Sequence, residues 1–374
     1  MGDPLLLLGA TFDREYWAAV PFHFWSAVFF VLGSIVGSFL NVVIYRLPIG
    51  ESIVYPPSHC PQCRYSIPWY LNIPLVTWVY LRAKCRNCGA PISSRYFLVE
   101  LLTALIFLSA WLSYGAISPL VALVYSGFLS LLIAATFIDF EHFIIPDEIT
   151  LGGAAAGFIC SAIIPALHGA ASLAEGMRAS LVGICFGAGL VYFVLRTGKL
   201  IFGRQKVAFP ADARVQFGEH AVHLPDKDIP YEDIFYRDSD AIRLEARTVE
   251  LIDRCYKNVS VRLSPHKLLI GEEVLDPETV PHMEVVSSQI VLPREAMGLG
   301  DVKFMAVIGA FLGWKAVIFC LMISSMFGAL VGVTLIAMRK QAWSSRLPYG
   351  PYIAAAAAVW IFGGQELVRW WFHL

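Results

Sequence analysis

Long apolar runs recur along this chain, and they leave few folds open to it. A spanning helix needs about 20 mostly apolar residues to cross a hydrocarbon layer roughly 30 Å thick. Runs of this kind occupy 22–44, 97–114, 120–138, 149–167, 177–195, 314–338 and 349–362. A further run, 302–313, covers only about 18 Å at 1.5 Å per residue, so it reads as a short helix shielded by its neighbours and broken from the next by Gly313. The expectation is an α-helical polytopic membrane protein with about eight transmembrane segments. Composition agrees: 57% of the 374 residues are hydrophobic and 15% charged, whereas soluble domains carry about 25% charge. That excludes an ordinary cytosolic chain and a disordered one. A net charge of −1 supplies no basic field for nucleic acid. The first run follows Asp13, Arg14 and Glu15, exceeds an h-region in length and precedes no small-residue cleavage site, so it reads as a retained helix.

Two stretches interrupt the apolar pattern. The segment after the first run carries Arg46, Arg64, Arg82, Lys84, Arg86 and Arg95 against one acid, Glu51, and the loop before the last run carries Arg339, Lys340 and Arg346. The turns near 115–119 and 169–176 carry no Lys or Arg. Basic loops stay in the cytosol, so both termini are expected outside. The second stretch, 197–294, is polar, with alternating residues such as Val259-Ser260-Val261-Arg262-Leu263 and turn signals at Gly271 and Asp276-Pro277. Period-two alternation predicts strands, with one helix near 247–256. The expected organisation is therefore a first segment and helix (1–44), a four-cysteine cytosolic loop (45–96), helices two to five (97–196), a small, mostly β cytosolic insert (197–296), and helices six to eight (297–374).

Four of the eight cysteines form two tight pairs, Cys60/Cys63 and Cys85/Cys88, separated by 21 residues. A two-residue gap lets both thiolates of a knuckle face one tetrahedral ion at about 2.3 Å. The separation sits just above the usual range of about 15–20 for four-cysteine zinc sites. Structural zinc is the expectation; the bland alternative is a pair of metal-free turns. Four thiolates close the coordination sphere, so such an ion would organise the loop and would not activate water.

Acids at a bilayer face are functional candidates, because a charge near the bilayer centre costs at least about 2.5–3.5 kcal/mol. Asp139 ends the third apolar run within Ile138-Asp139-Phe140-Glu141-His142-Phe143-Ile144-Ile145-Pro146-Asp147. Asp301 opens the short run within Gly298-Leu299-Gly300-Asp301-Val302-Lys303. The helix count places both on the cytosolic side, where packing can join them. Two adjacent carboxyls share a proton, which suits activation of water against a peptide carbonyl. Gly298 and Gly300 would admit a close backbone approach and φ > 0 before the helix. The same residues also fit a bland reading, in which Asp301 and Asp147 are helix caps and the interfacial acids are solvated. Glu100, inside the second helix, is expected to pair with Arg95 or with a polar group on another helix.

Taken together, these segments resemble the type IV prepilin peptidase family. The resemblance rests on Gly37-Ser38-Phe39-Leu40-Asn41 through Arg46-Leu47-Pro48, the two cysteine pairs around Asn72-Ile73-Pro74, Arg95-Tyr96-Phe97-Leu98-Val99-Glu100, the 138–147 segment, Gly298 to Lys303, and Pro348-Tyr349-Gly350-Pro351-Tyr352. It implies a G-x-G-D-type membrane aspartyl protease of the bacterial inner membrane, with Asp139 and Asp301 in the catalytic positions and Gly298, Gly300, Lys303, Asp147 and Glu100 as supporting motif residues. The implied substrates are prepilins and pseudopilins of type IV pili or type II secretion, cut after a glycine behind a basic leader. The implied second activity is methylation of the new N-terminus with S-adenosylmethionine, at residues the sequence does not place. The 197–294 insert departs from the family, which has a short loop there; it could dock substrate, contact the assembly machinery or decorate the enzyme. A proton-coupled transporter using the same acids is the rival reading. Transporters place their sites near the bilayer midplane and often carry inverted repeats; here the acids lie at one face and no repeat is visible.

Overall fold

The computed structural model describes residues 21–202, 204–225, 227–231, 234–235, 240–293, 298–338 and 347–372. In chain order the α-helices are α1 (Phe22–Arg46), α2 (Val76–Tyr80), α3 (Ser94–Tyr114), α4 (Pro119–His142), α5 (Asp147–Ile163), α6 (Leu173–Phe202), α7 (Leu299–Ala337), α8 (Gly350–Val359) and α9 (Gln365–Phe372). Among the described residues, five helices are long and apolar enough to cross a membrane: α1, α3, α4, α6 and α7. The other three expected segments differ for physical reasons. Helix α5 has only 17 residues, and α8 continues into a single π-turn after 10. The 302–313 run is continuous with 314–337 as α7, but the chain leaves helical geometry at Gly313, with φ 78° and ψ 175°. The break falls where the sequence places it, at a residue without a Cβ to clash in the left-handed region.

The chain divides into two compact units, one made of the described residues up to Val191 together with those from Leu299 onward, the other Tyr192–Gly298. In the first unit α1 packs on α3 and α4, α4 on α3 and α8, and α7 on α5 and α8. Local chemistry sets the helix ends that matter here. The Ser93 hydroxyl accepts from the Arg95 N–H at 3.2 Å, and Ser118 caps α4 just ahead of Pro119, each taking one of the donors a helix start leaves open. Helix α4 stops because Phe143 turns left-handed, at φ 55°, and Pro146 cannot continue it.

The N-terminal half of α7 is shielded as expected: Phe304, Met305, Val307, Ile308 and Ala310 are fully buried, whereas Met322, Met326, Leu330 and Val333 in its second half are exposed. Close approach to α6 depends on glycine. A Cβ at Gly309 would stand 2.0 Å from the Gly183 carbonyl oxygen, and one at Gly183 would stand 2.0 Å from that of Gly309. Small residues of this kind let helix backbones meet where lipid supplies no hydrophobic drive.

The second unit is an antiparallel sheet of eight strands, β1 (Arg204–Phe217), β2 (Ala221–His223), β3 (Asp228–Pro230), β4 (Ile242–Glu250), β5 (Cys255–Ser264), β6 (Lys267–Ile270), β7 (Glu273–Leu275) and β8 (Met283–Pro293), in the order β3-β2-β1-β8-β4-β5-β6-β7. Its core includes Val215, Phe217, Val249, Val261, Leu268, Val285 and Ile290. The mostly β reading of the insert holds, but the helix expected near 247–256 does not form. Residues 242–247 alternate buried and exposed, and β4 turns through 251–254 into β5, pairing Glu250 with Cys255. Ile242, Leu244 and Ala246 thereby enter the core on one face, a period of two that a helix cannot provide.

Candidate active site

Asp139 lies in the last turn of α4 and Asp301 in the first turn of α7. Both are buried, at 6% and 9% exposure. Ile145, in the short link between α4 and α5, stands between their surroundings. A Cβ at Gly350 would be 2.8 Å from Asp139 Oδ2 and 3.2 Å from Ile145 Cδ1. One at Gly300, the residue before Asp301, would be 3.4 Å from Ile145 Cβ. Gly350, which touches Asp139, and Gly300, which precedes Asp301, therefore border the same side chain.

The Asp139 carboxylate is held by the third element of the site. Oδ2 accepts the Gly350 N–H at 2.8 Å, in a buried bond. Gly350 opens α8, so its N–H is one of the donors a helix start leaves unused, at the end where the helix dipole favours negative charge. The preceding Tyr349 hydroxyl meets Ser324 at 2.9 Å and Ser325 at 3.0 Å on α7, which fixes where α8 begins. The role of Gly350 was not read from the sequence, although it sits in the quoted Pro348-Tyr349-Gly350-Pro351-Tyr352 segment. A glycine directly before Pro351 was its only signal.

The supporting residues divide. Asp147 is the first residue of α5, behind an N-cap of Pro146, and pairs with Lys303 Nζ at 2.5 Å, tying α5 to the first turn of α7. That pair is exposed (59% and 39%), and exposed pairs contribute about 0–1 kcal/mol. Gly300 does not adopt positive φ, contrary to expectation, because it already lies inside α7. Glu100 is buried, at 8% exposure; it does not pair with Arg95, but it meets the expected polar group on another helix, the Ser38 hydroxyl of α1, which donates to it. It also accepts the backbone N–H of Leu75 at 2.7 Å, while Arg95 pairs with Glu141.

A family description, type IV leader peptidase family, matches residues 126–208 and 282–333, and the bacterial peptidase A24 N-terminal domain matches 31–114. A prepilin leader peptidase/N-methyltransferase of Dichelobacter nodosus is 34% identical over 220 residues, covering 49% of this chain and 70% of that protein. The chain belongs to the type IV leader peptidase family. A relative of the same name from Aeromonas hydrophila is 29% identical over 377 residues, covering 94% of this chain and 95% of that protein. One from Myxococcus xanthus is 54% identical over 133 residues, covering 35% of this chain and 39% of that protein. No solved structure matches. The leader-peptidase family match omits 209–281, which lies within the β unit.

The cysteines of this family member converge. The sulfurs of Cys60, Cys63, Cys85 and Cys88 all lie within 4.8 Å of one another, with Cys60–Cys88 at 3.9 Å and Cys63–Cys85 at 4.0 Å. Four sulfurs bound tetrahedrally at about 2.3 Å would stand about 3.8 Å apart, so the donor set fits zinc in number, chemistry and spacing. Hydrogen bonds from the Asn87 side chain and the Tyr65 backbone bring the Cys63 thiol down to about 6, whereas burial and the three crowded neighbouring thiols push Cys88 up to about 11. We expect metal analysis of purified protein to find one zinc per chain. Cys60→Ser or Cys88→Ser should lose it and open the 45–95 loop to protease, while Cys255→Ser, an exposed cysteine outside the cluster, should retain it.

Proposed function

We propose that this chain is a membrane aspartyl endopeptidase of the bacterial inner membrane that removes the basic leader of type IV prepilins or pseudopilins after a glycine, and then N-methylates the new N-terminus. The observation that supports the reading is a pair of buried aspartates from distant helices, Asp139 and Asp301, in segments that both lie near Ile145, in a family whose relatives are named for both activities. In this reading one carboxylate of Asp139 and Asp301 takes a proton from water as the oxygen attacks the scissile carbonyl. The other gives a proton to the leaving amine as the C–N bond breaks, and general acid/base assistance of this kind supplies about 10²–10⁴-fold. Burial keeps other water away and strengthens each electrostatic contact. The Gly350 N–H holds the Asp139 carboxylate, and Asn41, whose Nδ2 donates to the Tyr96 carbonyl oxygen at 3.0 Å, ties α1 to α3.

Zinc held by Cys60, Cys63, Cys85 and Cys88 organises the loop between α1 and α3. S-adenosylmethionine is the methyl donor carried over from the family. The organisation proposed is eight membrane segments, with α5, the N-terminal half of α7 and α8 counted beside the longer helices, and with the cysteine loop and the 197–296 insert in the cytosol. The basic loops and the position of both aspartates at the same end support this orientation. The insert is assigned to contact with substrate or assembly machinery. The decisive experiment incubates the purified protein in vesicles with a prepilin and S-adenosylmethionine and reads the product N-terminus by mass spectrometry. A mature chain starting after the glycine, 14 mass units heavier when methyl donor is present, is the expected product; an uncut prepilin in the presence of correctly inserted enzyme would reject the proposal.

A further inference from the structure

The cysteine loop contains a stretch that its charged flanks obscure. Residues 67–81, Ile67-Pro68-Trp69-Tyr70-Leu71-Asn72-Ile73-Pro74-Leu75-Val76-Thr77-Trp78-Val79-Tyr80-Leu81, include no charged residue, while Arg64 precedes them and Arg82, Lys84 and Arg86 follow. An apolar stretch of this length is too short to span and has the length of a re-entrant or interfacial segment. The fold buries Leu71 but leaves much of the stretch exposed. Trp69 is 82% exposed, and Val76, Val79 and Tyr80, at i, i+3 and i+4 on one face of α2, are 61%, 60% and 72% exposed. Such a contiguous apolar face marks an interaction surface.

Its depth follows from two contacts with α3. The Trp78 ring packs on Phe97, with centroids 5.0 Å apart, and the Leu75 N–H donates to Glu100 at 2.7 Å. Phe97 and Glu100 are three residues apart on one face of α3. Helix α3 has 21 residues, about 31 Å of rise, so Glu100 lies about 9 Å in from its start. The Arg95–Glu141 pair aligns the start of α3 with the end of α4. Helical side chains lean back toward the N-terminus, which leaves Leu75 at about the level of Asp139.

Irregular backbone at such depth needs every polar group satisfied within the protein. This segment meets that demand in part: the Trp78 Nε1 donor is buried without a hydrogen-bond partner, but most of the backbone is paired. The N–H groups of Leu71, Asn72, Val76 and Thr77 donate to carbonyls of the same segment, Pro68 and Pro74 have none to satisfy, and the Leu75 N–H has the Glu100 carboxylate.

We propose that the 67–81 segment is re-entrant. It dips into the leaflet at the end where α1 finishes and α3 begins, anchored by Glu100 and Phe97, with Trp69, Val76, Val79 and Tyr80 against lipid and Arg64, Arg82, Lys84 and Arg86 toward anionic headgroups. The enzyme then presents an apolar wall at the depth of Asp139, on the lipid side from which a membrane-embedded substrate arrives. The inference does not need the peptidase reading, because its test requires no cleavage.

Photoreactive benzoylphenylalanine is placed singly at Val79, at Tyr80 and, as a lipid-facing reference, at Leu105, which is 45% exposed on α3. The full-length protein is irradiated in vesicles of phosphatidylethanolamine and phosphatidylglycerol without substrate. Phospholipid adducts at 79 and 80 should come within about threefold of those at 105, as for any side chain seated in the acyl boundary. Yields about tenfold lower, or adducts to protein in place of lipid, would overturn the proposal. As an independent readout, the fluorescence difference between wild type and Trp69→Phe should be quenched by dibrominated phospholipid and spared by iodide; the reverse pattern would also overturn it.

Discussion

Asp139→Asn and Asp301→Asn should each abolish leader removal, lowering the cleavage rate by about 10³-fold or more, because each removes one half of a proton relay that works as a unit. Asparagine keeps the volume and an oxygen able to accept the Gly350 N–H, so protein level and zinc content should be unchanged. The double variant should be scarcely worse than either single one, as effects within one catalytic unit do not add. Asp147→Asn is the internal control. Asp147 lies eight residues from Asp139, but it is 59% exposed and paired with Lys303. Losing a pair of that kind costs about 0–1 kcal/mol, so processing should fall no more than about fivefold. Cleavage by either central variant within about tenfold of wild type would remove that aspartate from the chemistry.

Much of this architecture was open to reading from the residues, for a reason specific to membranes. Lipid forces apolar runs to announce themselves, so the long helices and the break at Gly313 followed from run length and one glycine. The cysteine cluster was legible because thiolate pairs at two-residue gaps have few other uses. The aspartates were legible as candidates, since buried acids in an apolar helix need a purpose. What holds them was not. The bonds from Leu75 to Glu100 and from Gly350 to Asp139 are made by backbone N–H groups, which every residue but proline owns, so side-chain identity cannot reveal them. Glu100 finds the polar partner expected on another helix, Ser38 of α1, and in addition receives one amide of a loop 25 residues upstream, which no side chain announced. The insert misled at 247–256 for a related reason: charged and apolar residues there suit either period, and only pairing with β5 and β8 decides for the strand.

Gly350→Ala should separate catalysis from folding. The φ of Gly350 is not left-handed, and the residue opens a helix, so alanine meets no backbone penalty and gains up to about 1 kcal/mol of helix propensity. The added methyl, however, would stand 2.8 Å from Asp139 Oδ2 and 3.2 Å from Ile145 Cδ1, well inside normal contact. Of these neighbours the carboxylate is the more mobile, since Ile145 sits in the constrained link between Phe143 and Pro146. It must therefore swing away from the N–H that positions it. A displacement near 1 Å costs about 10²-fold when geometry governs the rate, so leader removal should fall by about that factor at an unchanged melting temperature. Ile145→Val, by removing Cδ1, should return part of the lost rate in the Gly350→Ala background while doing little alone. Wild-type cleavage by Gly350→Ala would show that this backbone bond does not set the position of Asp139. A matching fall in melting temperature would assign Gly350 to packing and leave the aspartates to be positioned by their own helices.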